Sequence, residues 1–175
     1  MNESLAKLMV AVCDEVVFIK INGRGDFNLS LDLKKLFVQL HQRGYRRFVL
    51  EVCGCAMMDS TFLGTLADIA LKYCNANNPQ NFPLELINPN PRIAETLENL
   101  GVAHLFKITQ CPDSPSVNYQ PQALTADKSK IEITRNCVEA HKTLIRVNEQ
   151  NVKKFKDVVE FLADDLKRLE AAAKN

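Results

Sequence analysis

The chain has 175 residues, of which 46% are hydrophobic, and its 22 basic and 21 acidic residues leave a formal charge of +1. This length suits one domain with an appendage, and the near-neutral charge offers no broad positive field for nucleic acid. No stretch reaches the roughly 20 apolar residues that span a bilayer, and the amino terminus lacks a signal-peptide pattern. We therefore expect a cytoplasmic protein with neither a nucleic-acid nor a membrane partner.

The six cysteines lie mostly within apolar patterns, as reduced core thiols do. Cys53 and Cys55 could share a metal ion, but no second pair of cysteines or histidines completes a four-ligand set. The histidines His41, His104 and His141 fall in separate elements and give no serine-base-acid order. We expect no cofactor and no metal site, and an enzyme that uses Cys55, Ser60 or His41 is the weakest alternative.

The first half of the chain alternates strand and helix patterns. Asp14-Glu15 is a tight turn between two alternating runs rich in β-branched residues, and Asn28 or Ser30 can cap the helix that follows. The predicted elements, in order, are strands at 7–13 and 16–22, a helix that ends at Gly44, and a strand at 46–53.

A helix that starts near Ser60 and is predicted to reach about Asn75 follows the 46–53 strand. The second half of the chain then repeats the alternation of strand and helix. A turn-rich segment at 75–81 leads to a strand at 83–88, a helix that follows Pro89 and Pro91 and stops at Gly101, and a last strand at 104–108. The order ββαβαβαβ implies a mixed sheet of about five strands with right-handed crossovers and helices packed on one face.

A polar motif, Asp59-Ser60-Thr61, lies between the third strand and the next helix. Asp59 can cap that helix, and a phosphate on Ser60 would meet the free N–H groups and positive dipole end of the helix. Capping alone also explains an Asp-Ser pair, so the motif by itself leaves a structural and a regulatory role open. Phe62 can either pack beneath the loop or stand exposed as a partner anchor.

Three motifs together make residues 7 to 108 resemble a STAS domain, the module of bacterial anti-sigma factor antagonists. They are Met58-Asp59-Ser60-Thr61-x-Leu63-Gly64, Gly23-x-x-Asp26, and the stretch from Asn88-Pro89-x-Pro91 to Leu100-Gly101. The resemblance implies a STAS-like fold for residues 1–110 and a role in transcription regulation by partner switching.

The resemblance also implies a switch residue. Ser60 stands where the family carries the serine that is phosphorylated by an anti-sigma factor with serine kinase activity, and Thr61 is the neighbouring hydroxyl. Unmodified protein would bind that partner through Asp26, Asp59, Ser60, Thr61 and Phe62. A phosphate of about −1.5 to −2 charge would eject the partner, and a PP2C-type phosphatase would reset the switch.

Phe62 departs from the commonest family pattern, which has a glycine after the two hydroxyl residues. The departure favours an alternative in which the protein is a STAS scaffold or oligomerisation module that is not phosphorylated. The intact Asp59-Ser60-Thr61 favours the switch.

The last third of the chain reads as a linker at 111–128 and a helical extension at 129–175. Apolar residues recur at helical spacing from Ile133 to Val147 and from Phe155 to Leu169, and the two stripes are out of phase around Asn148 to Asn151. We expect two helices with a break, which can dock on the sheet, fold as a hairpin or form a homodimer.

Overall fold

The computed structural model describes residues 7–74 and 82–174; the turn-rich segment predicted at 75–81 and the predicted helix end at Asn75 lie outside them. None of the described helices is both long and apolar enough to cross a bilayer. The elements are β1 (Lys7–Cys13), β2 (Val16–Gly25), α1 (Phe27–Gln42), β3 (Arg47–Glu51), β4 (Cys55–Met58), α2 (Ser60–Tyr73), β5 (Leu84–Ile87), α3 (Pro91–Asn99), β6 (Phe106–Thr109), β7 (Gln120–Pro121), α4 (Lys130–Val147) and α5 (Asn151–Ala172).

The strands form one mixed sheet in the order β6-β5-β3-β2-β1-β7, with β4 paired to the end of β2. β1 is antiparallel to β2 and β7, whereas β2, β3, β5 and β6 run parallel. The predicted α/β fold class is confirmed. The estimate of about five strands is low, because β4 and β7 are too short to show periodicity.

Local signals end most elements where they were expected. The hairpin turns at Asp14, which has φ 46, and Gly44 and Gly101 follow α1 and α3 with φ 100 and 66. The cap predicted for α1 is wrong: Asp26, rather than Asn28 or Ser30, accepts the N–H of Leu29 at 2.9 Å. Strand β2 extends to Gly25, which is further than predicted. Helix α1 starts at Phe27, directly after the Asp26 cap, and therefore earlier than a cap at Asn28 or Ser30 would give.

The main core lies between the sheet and helices α1 and α2. Alternate residues of β2 and β3 point into it, and the rings of Phe37 and Phe48 have centroids 4.0 Å apart. Helix α2 is buried on nearly all sides, since every residue from 61 to 70 is buried. Its outer side is therefore covered as well, and helix α4 covers it.

The opposite side of the sheet carries a buried carboxylate, Glu51. Residues of the 111–128 segment cross this side: Ser114 Oγ donates to Glu51 Oε1 at 2.6 Å and Tyr119 Oη to Oε2 at 2.8 Å. Lys20 lies 3.2 Å from the same carboxylate. The segment then pairs with β1 as β7 and leads into α4.

The C-terminal region forms two helices that pack on each other, with a break between Val147 and Asn151. Asn151 is fully buried, and its amide donates to the carbonyls of Leu100 and Leu144, each at 2.9 Å. The junction of α4 and α5 is thereby attached to the end of α3.

Candidate functional site

Ser60 is the first residue of α2, immediately after the strand-loop corner that ends β4. Asp59 caps this helix, and its Oδ1 accepts the Phe62 N–H at 2.7 Å. The other oxygen, Oδ2, accepts the N–H of Phe27 at 2.8 Å. One carboxylate therefore joins the amino-terminal ends of α1 and α2.

Asp26 and Asp59 lie close together, as the predicted grouping of the two requires. Burial raises the pKa of Asp59, the N–H groups of Phe62 and Phe27 lower it, and the negative charge of Asp26 raises it further. The balance is a raised pKa. A dianionic group added to Ser60 would therefore meet two carboxyl groups as well as a helix amino terminus.

Phe62 has to be withdrawn from the predicted partner contacts. Its side chain has no exposed surface, and a Cβ on Gly25 would lie 3.1 Å from its ring. Of the two alternatives the sequence left open, Phe62 takes the packed one. The ring fills the space beneath the loop, and Gly25 leaves room for it.

Ser60 is hydrogen-bonded to a histidine of the C-terminal extension. Its Oγ lies 3.0 Å from Nε2 of His141, whose Nδ1 lies 2.8 Å from the carbonyl oxygen of Cys137. A carbonyl can only accept, so Nδ1 carries the proton, and in the neutral ring the Ser60 hydroxyl donates to Nε2. The histidine is oriented by a carbonyl instead of the carboxylate of a catalytic triad.

Helix α4 covers the rest of the motif as well. Thr61 is 6% exposed, and its hydroxyl donates to the sulfur of Cys137 at 3.7 Å. Burial raises the pKa of the Cys137 thiol, although the Thr61 hydroxyl opposes this change. In this conformation both hydroxyls of the predicted switch face the C-terminal extension.

Cys53 and Cys55 point to different partners. The Cys53 thiol donates to Glu51 Oε1 at 3.1 Å, while the buried Cys55 thiol donates to the carbonyl of Met57 at 3.3 Å. The two thiols of the CxC segment therefore make separate hydrogen bonds, one to the buried carboxylate of β3 and one within β4.

A model of the STAS domain matches residues 7–114, more than half of the chain. The chain belongs to the STAS domain family. The resemblance drawn from the three motifs is thus confirmed, and Ser60, Asp59 and Asp26 are residues of a STAS domain. Helices α4 and α5 lie outside the matched range.

Solved structures share the STAS fold with this chain. A crystal structure of TM1081, a candidate anti-sigma factor antagonist of Thermotoga maritima, has a TM-score of 0.52 at 21% identity and covers 61% of this chain and 86% of its own. Unphosphorylated SpoIIAA, an anti-sigma factor antagonist, has a TM-score of 0.50 at 13% identity, with 58% and 87% covered. No curated protein matches the chain at a significant level. At these identities the likeness concerns the fold alone.

The contact between His141 and Ser60 was not predicted from the sequence. The two residues are 81 positions apart, and a histidine on a helical stripe has no local signature. One signal was available: α2 is apolar almost all round, with Asp68 and Lys72 as its only charged residues. Such a helix needs cover on both sides, which predicts a further layer over Ser60.

Proposed function

We propose that the protein is an anti-sigma factor antagonist that acts in the bacterial cytoplasm and regulates transcription by partner switching. In this role it binds an anti-sigma factor with serine kinase activity while Ser60 is unmodified. The observation that carries the proposal is the position of Ser60 in a STAS fold, on the first turn of α2 and beside Asp59 and Asp26. The same general role is supported by TM1081 and SpoIIAA, a candidate and a known anti-sigma factor antagonist that share the fold.

The switch would act through charge and bulk at the helix end. A phosphate on Ser60 adds about −1.5 to −2 charge and three acceptor oxygens. The dipole of α2 compensates part of this charge within the protein, but a bound partner would face the phosphate together with Asp59 and Asp26. The partner would leave, and a PP2C-type phosphatase would restore the binding form.

Phosphosite mapping of the protein purified from its own cells, with and without phosphatase treatment, tests this proposal. We expect a phosphate on Ser60, with Thr61 as the second candidate. Ser60→Ala should retain the co-purifying kinase, and Ser60→Asp should release it. Ser116→Asp, at an exposed serine of the 111–128 segment, is the matched control and should behave as the wild type. An unmodified Ser60 under all growth conditions, with a partner indifferent to these variants, would reject the switch.

A second candidate function is a STAS scaffold that is never phosphorylated. The hydrogen bond between Ser60 and His141 favours it, since the hydroxyl is engaged within the protein. Under this reading Ser60→Ala and Ser60→Asp change partner binding to the same small extent. The variants that test the switch thus separate the two functions.

Self-association through the C-terminal helices is proposed as a companion property. Helix α5 carries exposed apolar side chains, among them Val158 at 39% and Phe161 at 68%. A second copy of this helix would cover them. Sedimentation of the full chain should show a dimer that Phe161→Lys dissociates and the control Lys153→Glu leaves intact; a monomeric wild type would reject the dimer.

A further inference from the structure

The interface of α4 with α1 and α2 is unusually polar for a buried one. Four of the buried residues of α4 are polar, namely Thr134, Asn136, His141 and Thr143, and three are apolar, namely Val138, Ala140 and Leu144. Interfaces between parts that separate are more polar than the core of a domain, because their groups find water when they part. The composition of α4 therefore suits a helix that can leave.

Three of these four polar residues, Asn136, His141 and Thr143, have a hydrogen-bond partner on the STAS domain. The Asn136 amide donates to Ser30 Oγ at 2.9 Å and to Thr65 Oγ1 at 3.2 Å. Thr143 donates to Asp68 at 3.5 Å. Together with the bond from Ser60 to His141, these contacts place hydrogen-bonding groups along the outer side of α2. They make that side able to recognise a helix by its side chains.

Gly64 lets a helix approach α2 at its centre. A Cβ built on Gly64 would lie 2.5 Å from the Ala140 carbonyl oxygen and 2.9 Å from the Ala140 Cβ. The two helices therefore meet backbone to backbone, and a larger side chain on either one would hold them apart. This surface accepts a helix only where that helix presents a small residue.

Helix α4 packs only partly against α1. A groove of about 420 Å³ separates α1 from α4, and the ion pairs Lys34–Glu139 and Lys35–Glu132 connect its sides. Exposed ion pairs contribute little to stability and weaken with salt. Two buried contacts also hold this side, the Asn136–Ser30 hydrogen bond and the ion pair of Lys128, just before α4, with Asp32 at 2.7 Å. The contacts of α4 with α1 are therefore mainly polar.

We propose that the face of α1 and α2 around Ser60 and Gly64 is a helix-binding surface, and that α4 occupies it until a protein partner displaces α4 with a helix of its own. The partner helix carries a small residue over Gly64 and an amide side chain opposite Thr65, as α4 does with Ala140 and Asn136. That this partner is the anti-sigma kinase rests on the proposed function. Ser60 is only partly exposed and its hydroxyl is hydrogen-bonded to His141, so departure of α4 would free that hydroxyl for a kinase.

Hydrogen exchange of the full-length wild type in low urea tests whether α4 can leave. We expect amides of α4 to exchange through a partial opening while those of β2 and β3 stay protected. If α4 exchanges only together with the sheet, it is an integral part of the core and the proposal fails. This measurement needs no variant and no partner.

Ala140→Leu in the full chain tests the close approach. The larger side chain should speed exchange of α4 by about ten- to a hundredfold, as overpacking does, while the control Lys142→Leu, at an exposed neighbouring position, should not. A variant that does not fold would show that the domain requires α4 and would overturn the proposal, as would unchanged exchange.

A labelled synthetic peptide of residues 129–148 then probes the opened surface. It should bind the Ala140→Leu protein saturably and bind the wild type at least about tenfold more weakly, the difference set by competition with α4. Adding Gly64→Ala to the Ala140→Leu protein should abolish binding, although alanine suits a helix better than glycine. Absence of peptide binding to an opened protein would refute the surface.

The helix-binding surface and the proposed function can be refuted independently of each other. Finding Ser60 unmodified would refute the phosphorylation switch but would not affect the proposal that α4 opens and that the surface binds a helix. Conversely, a phosphorylated Ser60 on a protein whose α4 never opens would support the switch and refute the helix-binding surface.

Discussion

Glu51 should make a measurable and pH-dependent contribution to stability. Its carboxylate has no exposed surface and accepts from Ser114, Tyr119, Cys53 and Lys20. Hydrogen bonds to a charged group contribute about 1.5–3 kcal/mol, against roughly 0.5–1.5 kcal/mol for neutral ones. Glu51→Gln keeps the shape and weakens two hydroxyl bonds by about 1 kcal/mol each, and the lost Lys20 pair adds up to about 1 kcal/mol. We expect a loss of about 2–3 kcal/mol in the free energy of unfolding at pH 7.

The pH dependence of this difference follows from the direction of the pKa shift. Burial alone would raise the pKa of Glu51, but its hydrogen-bond donors outweigh burial and lower it from the usual value of 4.5. The stabilisation is therefore fully present above pH 4.5 and is lost as pH falls through the lower folded-state pKa. Because glutamine does not titrate, the gap between wild type and Glu51→Gln should narrow below that pH.

Urea denaturation of both proteins between pH 7 and pH 3 measures this gap. Glu85→Gln is the matched control, since Glu85 lies on the neighbouring strand and contacts Lys107 and Thr109, each at 3.1 Å, on a more exposed surface where water can replace them. The control should lose no more than about 1 kcal/mol. A gap for Glu51→Gln below about 0.5 kcal/mol, the range of ordinary surface changes, or one that stays constant down to pH 3, would refute the reasoning.

Three further variants test the site and its supports, each by urea denaturation. Phe62→Ala should lose about 3–5 kcal/mol because it empties a fully buried ring site, and a loss under about 1 kcal/mol would contradict the packed position. Asp59→Ala should lose about 2 kcal/mol and Asp26→Ala about 1 kcal/mol, since Asp59 caps two helix ends; equal losses would contradict the shared cap. Asn151→Ala should lose about 1–3 kcal/mol because it removes two buried amide hydrogen bonds, to the carbonyls of Leu100 and Leu144, and hydrogen exchange should report the loosening at the α4–α5 junction.

Signals within a few residues of each other predicted most of the fold. The hairpin at Asp14, the helix stop at Gly101 and the cap at Asp59 are each set by local backbone requirements. The start of α1 was misplaced because Asp26, Asn28 and Ser30 all suit a cap, and only the pairing of β2 with β4 up to Gly25 selects the first.

The segment that covers the site could not be identified from such signals. The contact between Ser60 and His141 joins segments far apart in the chain, and the stripes on the C-terminal helices fitted docking and dimerisation equally well. The buried polar residues of α4 break the apolar stripe, so periodicity alone understated how much of this helix is covered. Two partners of Glu51 could not be predicted for a related reason, because Ser114 and Tyr119 lie in a proline-rich segment without a regular pattern.

Strand β7 has a consequence for how the chain can be divided. Gln120 and Pro121 pair with Val10 and Met9 of β1, so a short strand with a proline shields an edge whose backbone would otherwise be open. A chain cut after Ile108 would expose that edge together with the outer side of α2, which α4 covers in the full chain. Such a fragment is prone to edge-to-edge aggregation, so its association would reveal an unprotected sheet and say nothing of the intact protein's own assembly.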